Sequence, residues 1–258
     1  MRRFFLRFLV AGVLLLFACG KAELPDWLTR LVGDPPAKEA LHFTLLCDRS
    51  LGSTCDEAGL PANVDGALMF VADRPRSTVS VVILGTDLAT TRELARITVP
   101  PPANHRARAQ QSEQRRFVDA ARAELLRSVQ PIFSVPSLRA SPLAEGITKI
   151  TYAKPPQTVV IISDALECSR TTEFCFECSR VPTPQQFVEQ LQRKALFAPG
   201  SMRGTHLVFV NQRLGTIGGN RCPQTMARVQ AVRAAWAAAA KAAGATIDFS
   251  TDAFGGEQ

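Results

Sequence analysis

The chain has 258 residues, a hydrophobic fraction of 46% and a formal charge of +7. This length allows one large domain with its own core, or at most two small domains. The basic residues are spread along the chain rather than clustered, so nucleic-acid binding is not expected. Without the arginines at positions 2, 3 and 7 the chain has 27 basic residues against 23 acidic ones, an excess of four.

The amino terminus has the pattern of an export signal. Three arginines lie within Met1–Arg7, and Phe8–Ala18 is an uninterrupted run of apolar or small residues. This pattern predicts a secretory signal peptide over residues 1–18, because the run is too short to span a bilayer as a stable helix. The alternative is a short membrane anchor that stays uncleaved.

The end of this segment, Leu16-Phe17-Ala18-Cys19, resembles the lipobox of bacterial lipoproteins. The resemblance implies cleavage before Cys19 and a lipid anchor on that residue, which would hold the protein to the bacterial cell envelope. Residues 19–41 would be a tether and the rest would face the periplasm. Gly20 stands where aspartate is associated with inner-membrane retention, so the outer membrane is weakly preferred.

The domain is predicted to open with His42–Ser53, where the apolar run Phe43–Cys47 leads directly to Asp48. Apolar residues bounded by turn residues indicate a strand buried on both faces. Further strands are predicted at 78–84, 94–99, 158–162, 205–210 and 245–249. Helices are predicted at 56–72, 112–129, 142–150, 183–196 and 226–243, the last ended by Gly244.

The alternation of strands and helices predicts a doubly wound α/β fold with a mostly parallel central sheet flanked by helices. The domain would cover residues 42–250, followed by a C-terminal tail at 251–258. Residues 131–141 are predicted to form a loop between the second and third helices, and the second helix is expected to begin at Ser112-Glu113.

Oxygen donors stand in three loops of this predicted sheet. The carboxyl ends of parallel strands meet at one edge, so we expect these donors to lie close together. Two carboxylates with hydroxyls and water suit Mg²⁺, and another divalent cation is not excluded. The alternative is that the two aspartates only cap turns and helix amino termini. The candidate metal ligands are Asp48, Ser50, Ser53, Ser141 and Asp164.

Three motifs carry a family resemblance: Asp48-Arg49-Ser50, Ser141-Pro142-Leu143 and Ile162-Ser163-Asp164. They resemble, in order, the D-x-S-x-S motif, the threonine loop and the strand-end aspartate of the von Willebrand factor A domain. Gly52 stands where that family has its second serine, with Ser53 one position later, and Ala165 replaces a common glycine. The resemblance covers about residues 41–250 and implies a metal-ion-dependent adhesion site, at which an acidic side chain of a protein partner completes the coordination of Mg²⁺.

Six cysteines follow Cys19, and an even number in an exported chain predicts disulfides. A bridge between Cys47 and Cys55 would staple the loop of the candidate metal site. The other four, Cys168, Cys175, Cys178 and Cys222, are expected to form two bridges, one of them joining the Cys222 loop to the 168–178 loop. The spacing of Cys175 and Cys178 is also that of a thioredoxin-like redox pair, and the four cysteines together also resemble a zinc site.

The chain contains no nucleophile elbow, phosphate-binding P-loop or H-E-x-x-H motif, so no catalytic residue and no small-molecule substrate are identified. A basic stretch, Arg106, Arg108, Arg115, Arg116 and Arg122, is predicted to be a solvated helix face, with anionic lipid or an acidic partner as the alternative.

Three functional hypotheses follow. The first is an envelope-anchored protein-binding module for adhesion or scaffolding, Mg²⁺-dependent, within a multiprotein envelope or secretion assembly. The second is an envelope enzyme, either a metal-assisted hydrolase or a thiol oxidoreductase. The third is a metal-free scaffold.

Overall fold

The computed structural model describes residues 38–50, 53, 55–102, 107–138, 140–152, 157–176, 180–210 and 225–255. The predicted signal peptide, the lipidation residue Cys19 and most of the predicted tether lie outside these residues. So do Cys178, Cys222 and the last three residues of the predicted tail. Within the described part of the chain, no helix is long and apolar enough to cross a membrane.

In the part of the chain that the structure describes, six strands form one sheet in the order β3-β2-β1-β4-β5-β6. All neighbouring pairs are parallel except β2 and β3, which are antiparallel. The central strands are almost wholly buried because they are runs of β-branched and other apolar residues. The strands are β1 (His42–Cys47), β2 (Thr78–Ile83), β3 (Arg92–Thr98), β4 (Thr158–Ile162), β5 (His206–Val210) and β6 (Thr246–Phe249).

Among the described residues, five helices cover the sheet, which confirms the predicted doubly wound α/β fold. The first two pack on one face and the other three on the opposite face, each layer around its own apolar cluster. The helices are α1 (Gly59–Val71), α2 (Ala107–Phe133), α3 (Leu143–Thr151), α4 (Pro184–Arg193) and α5 (Met226–Ala243). As predicted, Gly244 ends α5 in a left-handed conformation, with φ of 83°.

The parallel strands give the sheet two distinct ends. The five parallel strands end at one of them, which we call the carboxyl edge, and begin at the other, which we call the amino edge. Because β3 runs in the opposite direction, Thr98 at its end pairs with Thr78 at the start of β2, and Thr78 pairs with His42 at the start of β1. The chain therefore reaches the amino edge just before α2 begins.

The prediction for α2 was wrong at both ends. The helix begins at Ala107 rather than near Ser112, and it continues through Pro131 to Phe133, where a loop was predicted. Residues 107–111 are mostly alanine and glutamine, which favour helix over a break. Pro131 has no N–H to donate to the carbonyl four residues earlier, so it costs one hydrogen bond in the last turn and does not interrupt the helix.

Part of the predicted tail lies against the domain. The backbone N–H of Phe254 donates to Asn63 Oδ1 on α1 at 2.8 Å. The Phe254 ring packs against Phe43, with 5.4 Å between ring centroids. A side chain at Gly66 would clash with the Phe254 carbonyl, so this close approach requires glycine there.

Candidate functional site

The order of strands places the candidate site where the sheet changes direction. Sequence neighbours run outward from β1 on one side and from β4 on the other, so the loops that follow β1 and β4 separate at the carboxyl edge. A crevice at such a switch point is the usual ligand site in open α/β sheets. Asp48 directly follows β1 at this point, and its N–H donates to the Ile162 carbonyl at 3.2 Å.

Asp48 is the centre of a buried hydrogen-bond network. Its Oδ2 accepts from the hydroxyls of Ser50 at 3.0 Å, Ser141 at 2.8 Å and Ser163 at 2.7 Å. Its Oδ1 accepts from the Ser50 backbone N–H at 2.8 Å. Asp48 has no solvent-exposed surface. Three of the five predicted ligands, Asp48, Ser50 and Ser141, are therefore gathered at one carboxylate.

Backbone hydrogen bonds hold the loops of this network together. The Leu138 N–H donates to the Arg49 carbonyl at 2.9 Å, next to a bridge between Ser50 and Leu138. Ser141 and Cys168 exchange two N–H···O bonds of 2.9 Å. The loop after β1, the loop before α3 and the loop after β4 are thus joined pairwise, and the position of each hydroxyl is set by its neighbours.

The other two predicted ligands face elsewhere. The Ser53 hydroxyl donates to the Asp48 carbonyl at 2.6 Å and contacts the Ile162 carbonyl at 3.3 Å, so it supports the turn rather than the carboxylate. Asp164 is half-buried, and its Oδ1 accepts from the Leu166 N–H at 3.0 Å. This is the turn-capping role that the sequence left open for the aspartates.

Ser163 was not among the predicted ligands, although it is the residue of the β4 loop that reaches Asp48. Cys47 pairs with Ile162 across β1 and β4, so the next residue of each strand, Asp48 and Ser163, stand side by side. Ser163 is fully buried. Ser163 could have been identified from the register between β1 and β4, which the sequence alone does not specify.

The backbone after Ser163 takes a conformation that favours glycine. Ala165 has φ of 65°, in the left-handed region, and is fully buried. Its N–H donates to the Ser163 hydroxyl at 3.1 Å, and its carbonyl accepts from the Trp236 indole N–H at 3.0 Å. These two contacts hold Ala165 in place despite its methyl group.

Two more buried acidic residues, Glu145 and Glu167, lie near Asp48, and no sequence motif indicated them. Glu167 Oε2 accepts from the Ala144 N–H at 2.8 Å, and its Oε1 accepts from the Thr172 hydroxyl at 3.1 Å. Glu145 accepts from the Ser169 hydroxyl. Both glutamates are almost wholly inaccessible to solvent, so the start of α3 rests on buried carboxyl groups.

Burial governs the protonation of these acids. It raises the pKa of Glu167 to about 8, with smaller contributions from the charges of Glu145 and Asp48. Burial also raises the pKa of Asp48, although the four hydrogen bonds it accepts lower it in part. Among the described residues, no lysine or arginine donates to either group. Buried carboxylates without such a partner either bind a cation or become protonated.

A surface cavity of about 390 Å³ lies beside the network and reaches Ser50 and Ser53. Arg49 and Phe133 line it from one side, and Asp56 and Glu57 from the other. The Arg49 guanidinium donates to the carbonyls of Ile132 and Val135, the latter at 2.6 Å, so it joins the end of α2 to this loop. The buried network therefore has an adjacent opening to solvent.

Two disulfides among the described residues close the loops that follow β1 and β4. Cys47 is bonded to Cys55, as predicted, and Cys168 is bonded to Cys175. Both bridges indicate an oxidising compartment outside the cytoplasm. Cys175 therefore pairs with Cys168 rather than with Cys178, its partner in the thioredoxin-like spacing. The predicted bridge from the Cys222 loop lies outside the described residues.

The residues around Asp48 fit a hard cation in part. One buried carboxylate and the hydroxyls of Ser50 and Ser141 provide oxygen ligands of the type that Mg²⁺ prefers. No group of three or more His, Cys, Asp or Glu side chains placed to hold a metal ion occurs in the part of the chain that the structure describes. A cation at this position would depend on hydroxyls and water for the rest of its coordination sphere.

Comparison with known proteins gives little beyond the fold. No protein-family model matches the chain, and no curated protein matches it in sequence. Among solved structures, the chain is similar to the crystal structure of the conserved hypothetical protein BatB from Bacteroides thetaiotaomicron. The identity is 10% and the TM-score 0.35, over 83% of this chain and 91% of BatB.

Proposed function

We propose that this protein is an envelope-anchored, protein-binding module of the von Willebrand A type, and that its carboxyl edge binds a protein partner with the help of Mg²⁺. The observation that supports this proposal most is the gathering of Ser50, Ser141 and Ser163 around the buried Asp48 carboxylate. These groups come from three separate loops, so a ligand bound here affects all three loops at once.

The charge of the site supports a cation as that ligand. Asp48 is buried, and this burial raises the pKa of its carboxyl group. No lysine or arginine among the described residues donates to it. A divalent cation would supply the missing charge, with Asp48, Ser50 and Ser141 as its protein ligands. When bound, Mg²⁺ would offer open coordination positions to an acidic side chain of the partner. Ser53 and Asp164 are proposed to act through water, because the Ser53 hydroxyl donates to the Asp48 carbonyl and Asp164 Oδ1 accepts from the Leu166 N–H.

The surroundings support a partner of moderate size rather than a small substrate. The cavity over Ser50 is open to solvent and mixes a phenyl ring, a guanidinium and two carboxylates. The disulfide Cys47–Cys55 fixes one wall of it. Rigid loops with mixed polarity suit a protein surface, because little conformational entropy is lost on binding.

Titration calorimetry with Mg²⁺ and Mn²⁺ tests the metal part of this proposal. We expect saturable binding to the wild-type protein and at least a tenfold weaker affinity for Asp48→Asn, which keeps the size of the side chain and removes its charge. Asp73→Asn, at an exposed carboxylate of the amino edge, is the matched control and should bind as wild type does. Absence of binding in all three proteins would leave a metal-free scaffold.

Affinity capture from detergent-solubilised envelopes tests the partner. A partner that is retained in Mg²⁺, released by a chelator and lost with Asp48→Asn supports the proposal. Retention that ignores both the chelator and the substitution would place the interface elsewhere. An envelope enzyme, either hydrolase or thiol oxidoreductase, stays an alternative that no contact among the described residues specifically favours.

A further inference from the structure

The amino edge of the sheet differs in character from the rest of the surface. Along the part of this edge that α1 and α2 flank, six basic side chains lie against three acidic ones, Glu39, Asp73 and Glu113. Two of the six large hydrophobic side chains that are exposed on the described surface, Met69 and Phe70, are also here. The basic residues are Lys38, Arg74, Arg76, Arg108, Arg115 and Arg116.

The arginines of α2 extend beyond the domain at this edge. Arg122 is paired with Asp65 on α1, with 2.6 Å between Nε and Oδ1, so the two helices are level at that point. From Arg122 back to Ala107 the helix is about 22 Å long, whereas α1 reaches only about 9 Å past Asp65. The amino end of α2 therefore projects about 13 Å beyond α1.

The projecting part of α2 is not part of the core. Its buried residues, Ala121, Leu125 and Val129, all lie in the second half of the helix. Arg108, Arg115 and Arg116 are exposed. Arg115 and Arg116 lie near the level at which α1 ends, and Arg108 lies further out. The end of α2 that extends beyond α1 is therefore basic, and these three arginines are exposed to solvent.

The end of α1 adds apolar groups to the same edge. Met69 is 69% exposed and Phe70 is 50% exposed. The Arg74 guanidinium lies over the Phe70 ring, 5.6 Å from its centroid. An aromatic ring beside a long basic side chain is typical of residues that lie at a membrane–water boundary, where the ring meets the acyl region and the charge meets the headgroups.

The covalent path of the chain leads to this edge as well. Lys38, which is the first described residue and lies within the predicted tether, forms an ion pair with Asp73, and His42 begins β1 at the amino edge. The sequence places 18 residues, 20–37, between Cys19 and Lys38. Such a segment spans at most about 65 Å, and the lipid end of the chain is therefore tethered to this side of the domain.

We propose that the amino edge is a membrane-facing surface that lies against anionic phospholipid headgroups. Arg108, Arg115 and Arg116 would contact the phosphates, and Met69 and Phe70 would enter the headgroup layer. The inference rests on the lipid anchor of the proposed function. It adds an orientation, because a domain held by its amino edge presents the carboxyl edge, with Asp48, away from the membrane. Clusters of four to eight basic residues near a lipid anchor bind anionic membranes in this way.

Arginine modification of the full-length lipoprotein tests the proposal. The protein is reconstituted in vesicles of phosphatidylglycerol or of phosphatidylcholine and treated with phenylglyoxal, and each modified arginine is quantified by mass spectrometry. We expect Arg108, Arg115 and Arg116 to react at least fivefold more slowly on phosphatidylglycerol. Added salt at 0.5 M should remove this protection, because it screens exposed charges. Arg127, exposed near the other end of α2, is the internal control and should react equally on both vesicles.

Each other outcome contradicts the proposal in a recognisable way. Equal reactivity on both vesicles overturns it, as does equal protection of Arg127. Protection in native envelopes but not in phosphatidylglycerol vesicles would assign the arginines to an acidic protein partner instead. A mass that shows no acyl chains on Cys19 would refute the anchor and this surface together. An acylated chain with unprotected arginines would refute the membrane-facing surface alone and leave the Mg²⁺ site untouched.

Discussion

Charged side chains are buried at one edge of the sheet and exposed to solvent at the other. At the carboxyl edge, Asp48, Glu145 and Glu167 are buried, and the donors to them are hydroxyls and backbone N–H groups. At the amino edge, charges stay in solvent, and Lys38 pairs with Asp73 on the surface. Buried acids without a cation are costly to keep, whereas exposed pairs cost and contribute little.

This difference assigns separate roles to the two edges. At the carboxyl edge, the burial of acidic side chains costs stability and holds acidic and hydroxyl oxygens in fixed positions. This arrangement is typical of ligand sites. The amino edge keeps the side chains of Lys38, Asp73, Arg115 and Arg116 exposed to solvent. Substitutions at the carboxyl edge should therefore have large, pH-dependent effects, and substitutions at the amino edge should have small ones.

The largest effect is expected at Glu167. Its pKa of about 8 lies well above the ordinary value of 4.5, so the native state holds a proton that the unfolded state releases over this pH range. The free energy of unfolding should be greatest below about pH 4.5 and fall as the pH rises through 8, by about 5 kcal/mol in total. Urea unfolding between pH 5 and 9 would measure this slope.

Glu167→Gln is the test of that assignment, because the amide cannot ionise and can still pair with the Ala144 N–H and the Thr172 hydroxyl. We expect the contribution of Glu167 to disappear, leaving a slope of the same sign from Asp48, whose pKa burial also raises. Glu39→Gln, on the exposed amino edge, should leave the slope as in wild type. An unchanged slope in Glu167→Gln would mean that this carboxyl is not the titrating group.

Asp48→Ala should lower the free energy of unfolding by about 3 kcal/mol, because three hydroxyls and one N–H lose their acceptor in a site closed to water. Asp48→Asn keeps an acceptor and should cost about 1 kcal/mol. Denaturant unfolding with an unchanged m-value would measure both. If the two variants were equally stable, Asp48 would not organise the loops.

Removal of the disulfide by the double substitution Cys47→Ala and Cys55→Ala should cost about 2.5 kcal/mol, since the bridge closes a short loop and restricts the unfolded chain. The cysteines are eight residues apart. Wild-type protein unfolded under reducing conditions should lose at least as much, because both described bridges then open. An unchanged free energy of unfolding in the double variant would mean that this disulfide does not constrain the loop.

The smallest effect is expected for Asp73→Ala at the amino edge. The Asp73 carboxylate pairs with Lys38 and lies 3.9 Å from Arg74, and the Lys38 and Asp73 side chains are exposed to solvent. We expect the free energy of unfolding to change by less than about 1 kcal/mol. A loss as large as that of Asp48→Ala would remove the contrast between the two edges.

Much of the fold could be predicted from the sequence, because apolar runs and helical periodicity mark most elements. The bounds of β4 and α5 agree with those predicted, at 158–162 and 226–243. The convergence of Asp48, Ser50 and Ser141 was also predictable, since strand ends of a parallel sheet share an edge. The extent of α2 was not, because Ser112-Glu113 has the composition of a helix start while the preceding turn is equally able to form helix.

The details of the site depend on information that the sequence lacks. The choice between Ser163 and Asp164 is a matter of one residue in the register of β4, and a shift of one residue turns a side chain to the other face. Glu167 lies in a polar stretch whose composition predicts an exposed loop. It is buried only because α3 and the 168–175 loop pack around it. Long-range packing, rather than local pattern, decides both cases.

Crystals of the protein soaked in Mn²⁺ would show whether a divalent cation binds at Asp48, because anomalous scattering locates the ion itself. We expect a single strong peak at about 2.0–2.3 Å from a carboxylate oxygen of Asp48, with the Ser50 and Ser141 hydroxyls turned toward it. We expect no such peak in Asp48→Asn. An ion bound elsewhere, or an Asp48 carboxylate that keeps its three serine donors in saturating Mn²⁺, would contradict it.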